Sequence, residues 1–154
     1  MNKKVFISGG GGLLLLGGVA FMIVGSAGVP EPIDTSKRGT KGYYTSDELA
    51  FDLAKIVTNL RGTNGEFIEI LATAEYRVGP EIEPAEAPGL FSAKAAKLQD
   101  RFLMLISSKQ RKDVESKEQK EILKQEMRAL IQKVVFPDQK GMIEDILFRD
   151  FKIQ

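Results

Sequence analysis

The sequence predicts an α+β domain behind a single N-terminal transmembrane helix, and three patterns carry that prediction. An uncharged stretch runs from Val5 to Val29. A period of two runs from Ile68 to Val78. Two helical stripes, Phe91 to Ile106 and Leu123 to Val134, then precede a last apolar segment. The expected organisation is a cytoplasmic N-terminus over residues 1–4, a span over 5–28, a linker over 29–42 and a domain over 43–154. Within the domain the order reads strand–strand–helix–helix–strand.

The span comes first. Its 25 uncharged residues would rise roughly 37 Å as a helix, more than the ~30 Å of a hydrocarbon core. The stretch "ISGGGGLLLLGG" within it also resembles the glycine loop of a nucleotide-binding domain. A dinucleotide fingerprint needs glycine at n, n+2 and n+5, and from Gly9 or Gly10 the last position is Leu14 or Leu15. A P-loop needs Gly-Lys-Ser/Thr, and no lysine stands between Lys4 and Lys37. The membrane reading therefore prevails. Gly11, Gly18 and Gly25 fall seven apart and would form a smooth strip on which another helix could pack, or they reflect only the abundance of glycine in spans. A cleaved signal peptide is the rival, with Lys3 and Lys4 ahead of the run and Gly25-Ser26-Ala27 as small residues for cleavage. The run exceeds the 7–15 residues of such a signal, which favours an anchor.

"VPEPIDTSKRGTKG", with two prolines and two glycines, reads as the linker. Tyr43 and Tyr44 follow directly, either as the first core residues or as a membrane-proximal contact. Leu49 to Leu60 admits two readings, a strand alternating at Leu49, Phe51 and Leu53 or a short helix, and from Lys55 the β-branched residues favour strand. Arg61 to Gly65 is a glycine-bearing turn. Ile68, Ile70, Ala72, Ala74, Tyr76 and Val78 then share one parity, opposite Glu69, Thr73, Glu75 and Arg77, as in a sheet with one buried and one wet face.

The proline-rich Gly79 to Gly89 is a loop. A helix follows with its stripe at Phe91, Ala95, Leu98, Phe102, Leu105 and Ile106. Ser116 and Gln119 form a capping box for a second helix carrying Leu123, Met127, Leu130, Ile131 and Val134, which Pro137 ends. The closing segment from Gly141 has Ile143, Leu147, Phe151 and Ile153 on one parity, and Ile146 and Phe148 on the other. A strand apolar on both faces is central in its sheet or covered by a partner.

Composition narrows the chemistry. The chain has no His, Cys or Trp, which removes imidazole bases, thiol nucleophiles and their metal sites. Lys+Arg 22 against Asp+Glu 21 leaves no field to attract nucleic acid. Alternating charges between Lys109 and Glu126 read as a solvated helix surface. Glu81, Glu83 and Glu86 could in principle surround a cation but lack the spacing of a calcium loop. No catalytic constellation and no cofactor site emerges. A carboxylate hydrolase would need two acids converging in a cleft.

Three segments sharpen the reading. "VTNL" at Val57 to Leu60, "LISSK" at Leu105 to Lys109 and "DILFRDFKIQ" at Asp145 to Gln154, behind a single span, together resemble the FliL family of flagellar basal-body-associated membrane proteins. In that family the corresponding segments read like "V-N-L", "L-L-S-S-K" and "V-x-F-T-E-F-V-x-Q"; Phe148, Phe151 and Gln154 fit the last. The resemblance implies an inner-membrane protein at the flagellar basal body, with a periplasmic domain similar to SPFH/stomatin-type domains. It implies a non-enzymatic role in motility, association with the stator complex (ion-channel and peptidoglycan-binding subunits) and homo-oligomeric rings around it. Membrane lipid is the remaining partner; no nucleic acid or cofactor is expected. Phe148, Phe151 and Ile153 on the last strand are the expected oligomer or interaction residues. Arg149-Asp150 and Lys152 are more charged than is common near that end, and the Gly79–Gly89 loop is longer, departures that bear on the oligomer contacts. The alternative is a general extracytoplasmic scaffold outside the motor.

Overall fold

The computed structural model describes residues 32–62 and 65–154. The expected span, with Gly11, Gly18 and Gly25, lies outside them. Among the described residues no helix is long and apolar enough to cross a membrane.

The order is β1 (Leu49–Asp52), β2 (Ile56–Asn59), β3 (Phe67–Val78), α1 (Ala87–Ser107), α2 (Lys117–Val135) and β4 (Gly141–Ile153). The fold is thus α+β, a four-stranded antiparallel sheet with two helices. It holds one strand more than expected. Leu49 to Leu60 resolves into two short strands: β1 pairs with the Thr73–Tyr76 part of β3, and β2 with its Phe67–Ile70 part. Leu53 bridges the interruption by donating its N–H to the Ala72 carbonyl at 2.9 Å.

β3 is the centre of the sheet, and its alternation dictates the layers. Ile68, Ile70, Ala72, Ala74, Tyr76 and Val78 are all buried beneath the helices. From α1 come Phe91, Leu98, Phe102 and Ile106; from α2 come Leu123, Met127, Ile131 and Val135. These are the apolar positions of two amphipathic helices, at a spacing that keeps them on one face. Ala95 of the expected α1 stripe is exposed, and Leu130 and Val134 of the α2 stripe are half-buried. The Ser116 hydroxyl caps α2 by accepting from the Gln119 N–H at 3.2 Å.

The turn after β2 uses its glycines where positive φ is required, Gly62 at 75° and Gly65 at 93°. Arg61 N–H donates to the Lys109 carbonyl at 2.8 Å, tying this turn to the end of α1.

β4 differs from the reading of its parity. It is an edge strand, paired along its length with β3 alone. The apolar residues on both parities nevertheless reach a single face, because the register slips twice. Tyr76 faces Ile143 and Ala74 faces Ile146; Ala72 faces Phe148, Ile70 faces Phe151 and Ile68 faces Ile153. Glu144 and Arg149 are the extra residues at the two slips. Each bulge inverts the parity that follows it, so the 3-2-3-2 spacing of the apolar residues keeps all five under the helices. Leu147, opposite Thr73, and Met142, opposite Arg77, fall on the other parity.

Candidate interaction surfaces

The carboxylates do not assemble into a catalytic or metal centre. Among the described residues no group of three or more acids could hold a metal ion. Of the acidic loop, Glu81 is paired with Arg38 and lies 3.4 Å from Lys140 Nζ, while Glu83 and Glu86 face solvent. The Arg38 guanidinium holds the Glu81 carboxyl below the usual carboxylate range. On the outer face of the sheet Arg77 bridges Glu48 (3.3 Å) and Glu144 (3.2 Å), Lys55 meets Glu69 at 2.6 Å, and Arg149 meets Asp52 at 3.1 Å. Asp145, four residues before Arg149, is not that arginine's partner; its carboxylate accepts from the Ile146 N–H at 2.7 Å. Glu75 is the outlier of this face. Burial, with Glu48 and Asp145 beside it, pushes its carboxyl above the usual range.

Tyr43 and Tyr44 are buried, at 7% and 8% exposure, and pack edge-to-face with ring centroids 5.3 Å apart. The Tyr44 hydroxyl donates to the Gln139 carbonyl and accepts from the Gly39 N–H, both at 3.1 Å. Tyr43 lies so close to Gly79 that a Cβ there would fall 2.4 Å from the ring. The preceding residues are held as well: Thr35–Lys37 and Lys41–Tyr43 are short 3-10 turns, and Arg38 reaches both the Tyr43 hydroxyl and Glu81. The second half of the proline- and glycine-bearing segment is therefore a strap laid on the domain. The sequence shows no signal for the Arg38–Glu81 pair, whose members stand 43 residues apart.

Phe148, Phe151 and Ile153 lie on the helix-covered face of β4 and are half-buried. The two rings are 5.1 Å apart. Lysines of α2 cover them: Lys120 Nζ sits 4.6 Å from the Phe151 centroid and Lys124 Nζ 5.7 Å from that of Phe148. What β4 leaves open is its outer edge. Gln132 of α2 closes the start of that edge, donating to the Gly141 carbonyl at 2.9 Å and accepting from the Ile143 N–H at 2.9 Å.

A further surface lies between the helices. Two hollows of about 450 and 410 Å³ adjoin at Val134. Leu90, Leu130 and Val134 line them; Lys97, Arg101 and Lys133 stand at the rim of the larger, and Lys94 with Glu81, Glu86 and Asp138 at that of the smaller. Their signal in the sequence is the spacing of Lys94, Lys97 and Arg101, three and four apart, which is that of one helix face.

The three segments of the sequence resemblance meet at one end of the domain. Asn59 pairs with Phe67, and Phe67 exchanges backbone hydrogen bonds of 2.8 and 2.9 Å with Gln154. Lys109 accepts from Arg61 there and extends its side chain to Glu126 at 2.6 Å. No curated protein matches the chain significantly. Residues 50–154 match the family described as flagellar basal body-associated protein FliL, a match that runs from β1 through Gln154. With the whole sheet and both helices inside the match, the chain belongs to the FliL family of flagellar basal body-associated proteins.

Proposed function

We propose that this protein is a non-enzymatic accessory of the flagellar motor that associates with stator units and supports torque generation. The observation that carries this reading is the family match over the whole β1–β4 domain, downstream of 25 uncharged residues. In this reading residues 5–28 anchor the chain once in the inner membrane, with residues 1–4 cytoplasmic. The domain, SPFH/stomatin-like in its fold, stands in the periplasm beside the stator's ion-channel and peptidoglycan-binding subunits. Copies of the chain assemble around the stator, using the open edge of β4 near Phe148, Phe151 and Ile153. The Gly11–Gly18–Gly25 strip serves helix packing within the bilayer.

Affinity purification of the intact chain with stator subunits, alongside motility of a deletion strain, tests the proposal. Co-purification and impaired swimming or swarming are expected. Normal motility without co-purification would refute the motor role and favour a general extracytoplasmic scaffold. Membrane fractionation of N- and C-terminally tagged protein separates an anchor from a cleaved signal: both tags must stay with the membrane.

A further inference from the structure

We infer that the groove between α1 and α2 docks an acidic amphipathic segment of a partner protein. Its floor is apolar and incompletely covered. Leu130 and Val134 are half-buried, and Leu90 is 37% exposed at the end nearer the start of α1. Its rim is cationic and free of lining acids around Lys97, Arg101 and Lys133, while Glu81, Glu86 and Asp138 line the adjoining hollow beside Lys94. Lys94, Lys97, Arg101 and Lys133 are exposed, and none makes an ion pair among the described residues. Elsewhere on the domain Lys55, Arg77, Lys109, Arg111 and Arg149 each meet a carboxylate, while Lys112 and Lys117 stand outside both hollows. α1 itself carries only one acid, Asp100.

Lys97, Arg101 and Lys133 around one apolar hollow repel one another, and a segment bearing carboxylates along the flanks of an apolar stripe relieves that repulsion while covering the floor. The floor is recessed between two helices. A helix or extended segment reaches into it, whereas the flat surface of a bilayer meets only the rim. No aromatic side chain lines the hollow beside Lys97 and Arg101, and Phe136 of the adjoining hollow is buried at 1% exposure, so no base finds an open ring to stack on. This assignment concerns the chemistry of the occupant and stands whether or not the occupant belongs to a stator.

The test uses the full chain in uncharged detergent micelles, with the signal from empty micelles subtracted. The probe is a fluorescein-labelled peptide with leucine and glutamate at helical spacing; its control replaces each glutamate by glutamine. Fluorescence anisotropy should show saturable binding of the glutamate peptide. Lys97→Glu combined with Arg101→Glu should weaken it by about tenfold or more, as should the glutamine control, because both remove the charge match. Lys112→Glu combined with Lys117→Glu reverses two equally exposed, unpaired cations outside the groove and should leave binding unchanged. No saturable binding, or equal loss in both double variants, overturns the inference. So does capture of phosphatidylglycerol vesicles through Lys97 and Arg101 without peptide binding, which would assign the rim to a bilayer. A rim variant that alters only self-association in sedimentation velocity assigns the groove to a second copy and overturns it as well.

Discussion

The two faces of the sheet are made by the same strands and hold the fold in different ways. On the inner face every side chain of the buried β3 parity is at or below 1% exposure and belongs to the one apolar core that α1 and α2 share. On the outer face the neighbours of β3 are charged. Lys55, Asp52, Glu48, Glu144 and Arg149 form a lattice of partly exposed pairs, with Leu147 and Val57 as isolated apolar residues at 40% and 48% exposure. Burial of a large aliphatic or aromatic side chain contributes about 1.5–3 kcal/mol. An exposed ion pair contributes about 0–1 kcal/mol. The inner face therefore supplies the stability. The outer face sets what the domain meets in solution and blunts its own tendency to aggregate.

That division can be broken most directly at Phe91. Its ring is fully buried and lies 4.6 Å from Phe51, 4.8 Å from Tyr76 and 5.7 Å from Phe136, centroid to centroid. Phe91→Ala leaves a cavity at the junction of both strand edges and α1, and should cost about 3–5 kcal/mol in urea denaturation. A loss below about 1 kcal/mol would mean that the inner face does not dominate.

Gln132 lies where a helix meets the edge of the sheet. Its amide donates to the Phe136 and Gly141 carbonyls and accepts from the Ile143 N–H, at 2.9–3.1 Å. Gln132→Leu keeps the size of the side chain and strands those backbone groups, a loss of about 1–3 kcal/mol. Hydrogen exchange at the Ile143 amide should accelerate more than that at Ile153, which lies outside the reach of Gln132. Equal acceleration at both would show that the strand edge does not depend on this side chain.

On the outer face Arg149→Ala removes the 3.1 Å contact to Asp52 and should change stability by about 0–1 kcal/mol. Added salt should shrink the difference further. A cost comparable to that of Phe91→Ala would erase the distinction between the faces.

How far the sequence discloses this arrangement follows the same division. β3 is legible because one parity is apolar at all six of its positions while the other carries Glu69, Thr73, Glu75 and Arg77 with only Phe67 and Leu71 apolar, so one parity had to be dry. β4 is legible as a strand and illegible as to face. Glu144 and Arg149 look like ordinary members of the run, and only the pairing with β3 reveals them as bulges. β1 and β2, at four residues each, are too short for periodicity to separate strand from helix. Tyr43 and Tyr44 are visible as aromatics after a linker, but what they pack on is distant in the chain, Gly79 for Tyr43 and Gln139, 95 residues away, for Tyr44. The cations of the α1–α2 groove were in plain view at helical spacing. That they are unpaired is a tertiary fact, since Lys109 finds Glu126 17 residues away while Lys97 and Arg101 find no carboxylate among the described residues.

Glu75 gives the smallest expected effect and the one with the opposite sign. It stands on the outer face across from Asp145 of β4, with Glu48 also beside it, and burial and those carboxylates raise its pKa above the ordinary value of 4.5. A carboxyl raised on folding opposes folding once ionised. The penalty is full above its folded pKa, fades as the pH falls through that value, and vanishes below the unfolded one. Glu75→Gln is neutral at every pH and so should raise the thermal midpoint at pH 7. The gain should shrink on acidification and be gone only below pH 4.5, the ordinary value of the carboxyl. Melts of the full chain in one detergent at neutral and acidic pH read this directly. A variant that melts lower than the parent at pH 7 would mean that the Glu75 carboxylate is held by favourable contacts, and that the outer face contributes stability at its centre too.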